Sequence, residues 1–487
     1  MKKQILILAL VLISISSLAN RYDVTDFGAL GDGKTIDSPA INAAIEAASE
    51  KGGGMIYFPA GTYLSYSIRL KSNIHLYLES GAVLEAAQPS ATEGYDPAEP
   101  SAFTKFQDFG HSHFQNSLIW GEKLENIQIS GFGLIYGRGL SREESRIPGA
   151  ANKAIALSEC VNVTISDINM LKCGHFALLA TGVENMTLRN MRVDTNRDGF
   201  DIDCCRNVRI SDCSINAPWD DALVLKASYA LGRFKDTENV TITNCFVSGF
   251  DQGTMLSGTY ERDEPQAPDH GFNTGRIKFG TESSGGFKNI TISNCVFENC
   301  RGIALESVDG GFLEDICITN ISMRDIVNSP IFLRLGSRMR SPEGTPMGKM
   351  RRITISNINC YDADGRYSCI LSGVPGHPIE DVYISGVRIL YKGGGTSEMA
   401  GLTPPENIRG YPEPWMFGTI PASGFFIRHV KNLHMRDVEL DYMTDEARPT
   451  FYLDDVENIR LDAVRSRIEP KVQRFIQKDV RGLIDNP

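Results

Sequence analysis

Val163-Thr-Ile-Ser166, Met186-Thr-Leu-Arg189, Val208-Arg-Ile-Ser211, Val240-Thr-Ile-Thr243, Ile290-Thr-Ile-Ser293 and Ile316-Cys-Ile-Thr319 are versions of one short phrase. Each alternates apolar and polar residues, the pattern of a strand with one face buried. The phrase returns at Ile353-Thr-Ile-Ser356, Val382-Tyr-Ile-Ser385, Leu433-His-Met-Arg436 and Ile459-Arg-Leu-Asp462. Intervals between starts run from 22 residues (186 to 208) to 51 (382 to 433). The shortest look like bare rungs, and the longer ones carry insertions expelled as loops, commonly over a binding face. A chain of 487 residues is long enough for two or three domains, but the recurring phrase predicts one all-β, single-stranded parallel solenoid over residues 20–487. The long interval from 240 to 290 has room for a further rung, because Arg276-Ile277-Lys278-Phe279-Gly280 also alternates, whereas 392–424, rich in Gly and Pro, reads as a loop.

Twelve residues on from the first six starts stand His175, Asp198, Asp220, Gln252, Gly302 and Asn328. If the phrases stack, these residues form a column on one face. Stacked strands lie about 4.8 Å apart, so Asp198 and Asp220, with Asp221 beside the latter, converge on a space the size of one sugar linkage. Inside the solenoid such carboxylates would cost several kcal/mol, so they are expected to face outward. Consecutive Asp220 and Asp221 cannot point the same way from a regular strand, so a bulge or turn has to aim both at the cleft. A ladder of turn-forming carboxylates is the competing reading for any one of them. Trp219, just before the pair, is placed to be a sugar platform or to pack a loop.

Residues 1–19 combine Lys2-Lys3, an apolar run from Ile5 to Ile15 and Ser17-Leu18-Ala19, the pattern of a signal peptide cleaved before Asn20. An exported protein, periplasmic or secreted and without membrane insertion, is expected. Hydrophobic content of 42% and charged content of 22% are ordinary for a folded chain, and a net charge of -11 argues against a nucleic-acid partner. Of the 11 cysteines, Cys213, Cys245 and Cys295 fall five residues after their phrase starts, as a ladder of buried thiols would. Pairing of Cys204 with Cys205, or Cys295 with Cys300, stays open. Ser38 to Lys51 has helical spacing of apolar residues, with Ser38 as N-cap and Gly52-Gly53-Gly54 as stop, and is expected to cover the open end of the solenoid.

Four ordered motifs give the chain a family likeness. Asn196-Arg197-Asp198, Asp220-Asp221 with Lys226 following, and Arg276-Ile277-Lys278 resemble three of the four signatures of polygalacturonase-type glycoside hydrolases, family 28. Tyr22-Asp-Val-Thr-Asp-Phe-Gly-Ala29 and Phe58-Pro-Ala-Gly-Thr-Tyr63 resemble the N-terminal region of that family. The resemblance implies a right-handed parallel β-helix and hydrolysis with inversion, without cofactor or metal. It implies Asp220 as general acid, with Asp198 and Asp221 holding and deprotonating the attacking water. It also implies that Arg276 and Lys278 bind the carboxylate of a uronic-acid unit, with Lys226, Asn196, His175, Gln252 and Glu306 completing the substrate site. An acid-to-base separation of roughly 6.5 to 9.5 Å is expected for inversion. The family's Gly-His-Gly is absent: Gly249-Phe250-Asp251-Gln252-Gly253 has no histidine, and Gln252 or His175 is the candidate replacement. Arg197 in place of the family's Thr, with Glu282 and Glu306 nearby, points to a specialised pectic substrate, a galacturonic-acid linkage or a rhamnogalacturonan backbone, and the long loop insertions, placed to block part of an open groove, point to attack from chain ends. Two readings of other classes remain. One is a lyase with calcium on Asp198, Asp201, Asp203 and Asp220 and with Lys278 or Arg276 as base; the other is a non-catalytic glycan-binding β-helix.

Overall fold

The computed structural model describes residues 21–142, 148–263 and 273–486. The proposed signal peptide lies outside the described residues. Thirty-three strands form one continuous sheet in which the strand pairings are parallel, coiled as a right-handed β-helix. The phrase starts fall into a single register: Val163 pairs with Met186, Met186 with Val208, Val208 with Val240, and so on through Ile290, Ile316, Ile353, Val382 and Leu433 to Ile459. The apolar residues of each phrase point inward and stack into one long core. Each buried Ile, Val or Leu contributes about 1.5–3 kcal/mol, which is why the register tolerates insertions elsewhere but not slippage here.

The corner before seven of the ten phrases is set by asparagine. Asn162, Asn185, Asn207, Asn239 and Asn289 all have φ between 53° and 58°, a left-handed backbone that Asn tolerates better than most residues. Their amides form a ladder, Asn185 donating to Asn162 at 3.1 Å, Asn207 to Asn185 at 3.1 Å and Asn289 to Asn239 at 2.8 Å. Cys213, Cys245 and Cys295 are buried, each thiol donating to the carbonyl two residues back at 3.2–3.3 Å. The same register position continues as Ile321, Ile358 and Val387. All eleven cysteines are free, so neither candidate disulfide forms.

A helix over Ser38–Glu50 buries Ile41, Ala44, Ile45 and Ala48 against the first rungs. Its N-cap is Asp37 rather than Ser38, and the Asp37 carboxylate accepts from Leu30 and Gly31 N–H instead of from the helix. Pro39 lacks an N–H, which removes one of the donors a cap would satisfy. Arg276-Ile277-Lys278 does begin a further rung, the strand Ile277–Ser283, and 392–424 contains no strand. That segment instead seats Met416, Phe417, Ile420 and Ala422 on outward-facing Phe332, Ile370, Phe426 and Tyr452, a second apolar core on the outside of the sheet. Among the described residues, no helix is long and apolar enough to cross a membrane.

Candidate active site

Four neighbouring rungs build the site. Strand Phe176–Thr181 pairs with Asp198–Asp203, that strand with Leu223–Ala227, and the last with Ile277–Ser283. Asp198 opens its strand and pairs with Phe176, so the twelve-residue column slips by one residue from rung to rung. Asp220 and Asp221 lie in the turn that enters Leu223–Ala227, and the Asp221 carbonyl accepts from Gly199 N–H at 3.0 Å, which ties the turn to the Asp198 rung. The turn, not the pleat, aims both carboxylates into one pocket with Asp198. Asp201 and Lys278 stand at one register position across the two strands through Val224, and face out of the sheet.

The three carboxylates differ in environment. Side-chain exposure is 21% for Asp220 and 5% for both Asp198 and Asp221. Burial, then the negative charges of Asp220 and Asp201, push Asp198 well above its ordinary value. Burial acts the same way on Asp221, but Lys278 at 3.4 Å and Arg276 at 2.8 Å outweigh it and hold that carboxyl below its ordinary value. Arg197 Nε lies 3.5 Å from Asp220 and its guanidinium stands over the Phe109 ring. Oxygen atoms of Asp198 and Asp220 come within 4.8 Å of each other, because both project from adjacent rungs onto one spot.

His175 does reach Asp198, its Nε2 3.7 Å from Oδ2. Its Nδ1 donates to the Arg142 carbonyl at 2.7 Å, and burial with the Arg197 charge lowers its value well below the ordinary one, so the ring is neutral. Gln252 does not sit among the aspartates: its Oε1 accepts from Arg142 at 3.1 Å on the rim, because the 249–253 turn is anchored by the Asp194 carboxylate accepting from Gly253 N–H. Arg142 also covers the Trp219 ring at 5.0 Å. Asn196 is fully buried, and its side-chain amide has no hydrogen-bond partner among the described residues.

The cations of the site are buried among protein carboxylates. Lys226 is buried between Asp201 at 3.2 Å and Glu282 at 3.6 Å and contacts His111; these acids and Asp198 keep its value raised against burial. Arg276 and Lys278 are buried too, and their partners are protein carboxylates: Asp221, Glu306 and, for Arg276, Glu413. Glu306 stands behind these two cations, with no exposure and away from the pocket lining, so it is not placed to touch a substrate. Burial pushes it up to about 8 despite Lys278 and Arg276.

His111, Glu413 and Tyr411 escaped the sequence reading. His111 comes from the insertion between strands Ala82–Ala86 and Ser117–Glu122, and packs edge-on against Phe176. No rung before residue 163 was read from the sequence, so neither this insertion nor its contacts was visible there. Atoms of His111, Asp198 and Asp201, and of His175, Asp198 and Asp220, lie within 4.8 Å of one another and form two mixed N/O sets of the kind that holds a transition metal. In the first set the Lys226 ammonium already supplies a cation to His111 and Asp201. The calcium set of the lyase reading is broken, because the Asp203 carboxylate turns to Ser228, accepting from its N–H at 2.8 Å and its hydroxyl at 2.6 Å. Lys278 and Arg276 are both held charged by their carboxylates, which unsuits them as the base.

A parallel β-helix with three converging aspartates on its outer face is the arrangement of a polysaccharide-processing hydrolase. Residues 101–407 match the model of glycosyl hydrolases family 28, and residues 22–166 match that of rhamnogalacturonase A/epimerase, pectate lyase-like. The chain belongs to glycoside hydrolase family 28 and is a glycoside hydrolase. A probable polygalacturonase of Vitis vinifera is 25% identical over 440 residues, 84% of this chain and 82% of the relative. An exo-poly-alpha-D-galacturonosidase of Dickeya chrysanthemi is 23% identical over 453 residues, 82% of this chain and 73% of the relative. The structure of a family 28 exopolygalacturonase of Yersinia enterocolitica superposes with a TM-score of 0.61 at 17% identity, covering 96% of this chain and 79% of that one.

Proposed function

We propose that the protein is an exported hydrolase that releases terminal galacturonic-acid units from pectic chains or oligosaccharides, with inversion at the anomeric carbon. The observation that carries this reading is the divided state of the aspartates, one held up by burial and like charge and one held down by two cations. Two carboxylates as close as Asp198 and Asp220 do not both ionise readily, so the pair retains a proton. Asp220, the most open of the three, delivers it to the leaving oxygen, while ionised Asp221 takes the proton of the attacking water.

Attack from the chain end is supported by the walls. Asp108, Phe109 and His111 of the insertion and Tyr411 of the 392–424 segment line the pocket, and Arg340 pairs with Asp108. The match of residues 22–166 to the rhamnogalacturonase A/epimerase model favours, as a second reading, a galacturonic-acid linkage to a neutral backbone sugar. Asp220→Asn tests the assignment: turnover of galacturonides falls by at least 10³-fold while the circular dichroism spectrum is unchanged. Turnover near that of the wild type would remove Asp220 as the acid.

A further inference from the structure

Glu413 sits where the family likeness would put a substrate. Its carboxylate accepts from Arg276 through both terminal nitrogens, Nη1 at 3.2 Å and Nη2 more closely, and from Arg301 Nη1 at 3.0 Å. The side chain is 2% exposed, and Arg276 and Arg301 bring it down to about 2, against burial. The segment that carries it is firmly seated. Phe417, three residues into the short turn that Glu413 opens, is buried on Phe426, and the Arg301 guanidinium stands over Trp415 at 5.1 Å. Two residues before Glu413, the Tyr411 ring stands over Lys278 at 5.5 Å and its hydroxyl accepts from Thr281 Oγ1 at 3.1 Å. Lys278 is further committed to the Asp221 carboxylate at 3.4 Å. Both cations of the Arg276-Ile277-Lys278 run are therefore taken by the chain's own carboxylates, and the pocket beside them is lined by five acids, Asp108, Asp198, Asp220, Asp221 and Glu282.

We propose that Glu413 is a built-in occupant of the carboxylate seat on Arg276, and that the sugar bound on this side of the scissile bond therefore carries no free carboxylate. The proposal rests on the reading of the site as a galacturonide hydrolase. A bidentate guanidinium–carboxylate pair fills the face of the fork that a second carboxylate would use, and a free uronate brought to the same place would meet Glu413 as a like charge. A neutral sugar and a methyl-esterified uronate share the required chemistry. Glu413 acts on specificity through Arg276 and is not itself a catalytic residue.

The test uses galacturonides whose neighbouring sugar carries a free carboxylate, a methyl ester or no carboxyl group. Wild-type kcat/KM is expected to be at least tenfold higher for the last two than for the first, and their ratio tells ester from neutral sugar. Glu413→Ala empties the seat; the free-acid substrate should then gain at least tenfold relative to the neutral one, through KM rather than kcat. Equal rates on acid and neutral substrates in the wild type, unchanged in Glu413→Ala, would overturn the proposal. Should the wild type cleave none of them, the activity reading fails on its own, and the seat is read from thermal melting. Acetate or galacturonate at tens of millimolar should raise the Tm of Glu413→Ala and leave the wild type unmoved. No acetate-dependent rise would overturn the seat itself. Because the variant leaves two buried guanidinium groups short of a partner, Glu413→Gln is measured beside it, and should fold without acetate while showing a smaller gain on the acid substrate.

Discussion

Glu306→Gln removes a charge that the structure holds in an unusual state. Glu306 has no exposure, neither carboxylate oxygen has a hydrogen-bond partner, and the nearest cations are Lys278 at 3.5 Å and Arg276 at 3.9 Å. Burial dominates, and the carboxyl is pushed from 4.5 to about 8. A carboxyl raised on folding contributes stability where it is protonated; that contribution is complete below 4.5 and is lost as pH rises through about 8. At about 1.4 kcal/mol per tenfold change in proton activity, the interval sets an upper bound of roughly 5 kcal/mol. Relaxation and water entry reduce this to about 2–5 kcal/mol. Glutamine keeps the shape of the protonated acid, so the variant should escape the loss. A chain of this length changes stability by about 1 kcal/mol per degree near its Tm. Melting followed by circular dichroism should therefore find the two proteins within about 1 °C at pH 5 and the variant about 2–5 °C higher at pH 9. Parallel Tm curves, or a variant less stable at every pH, would refute the reasoning and mean that Glu306 is already the ionised partner of Lys278 at pH 5.

Lys278→Met removes the cation whose charge lowers Asp221 most, although Arg276 lies closer. The acidic limb of the kcat/KM profile, set by Asp221 losing its proton, should move to higher pH; an unmoved limb would detach Asp221 from that limb. Denatured protein should titrate with a thiol reagent for all 11 cysteines without prior reduction, and reductant should leave the Tm unchanged. A shortfall of two thiols would reveal a disulfide.

The rungs were legible because each phrase carries its own local signal. Alternation with β-branched residues specifies a half-buried strand, and inward residues such as Val208, Val240 and Ile290 have only one face that fits the core. The asparagine ladder was legible in principle, since Asn stands just before seven of the ten phrases, and it is what turns the chain at φ near +55°. Asp198, Asp220 and Asp221 came together as read, although a turn rather than a straight column delivers the last two. The walls of the pocket were not legible. Glu413 meets Arg276 across 137 residues and His111 meets Lys226 across 115, through segments with no period of their own. Insertions in a solenoid are placed by a few ion pairs and aromatic contacts made at long range, so their sequence announces a loop and not its destination. Gln252 illustrates the reverse error: its place in the count suggested the cleft, but the turn that carries it is pinned to Asp194 and leaves it on the rim with Arg142.

The most direct test of the aspartate mechanism is proton NMR of the first products released from a galacturonide substrate, recorded with and without chelator. The account predicts saturated terminal units appearing with inverted anomeric configuration at a rate indifferent to chelator. A retained anomer would make one of the close carboxylates a nucleophile, and an unsaturated product would contradict hydrolysis altogether.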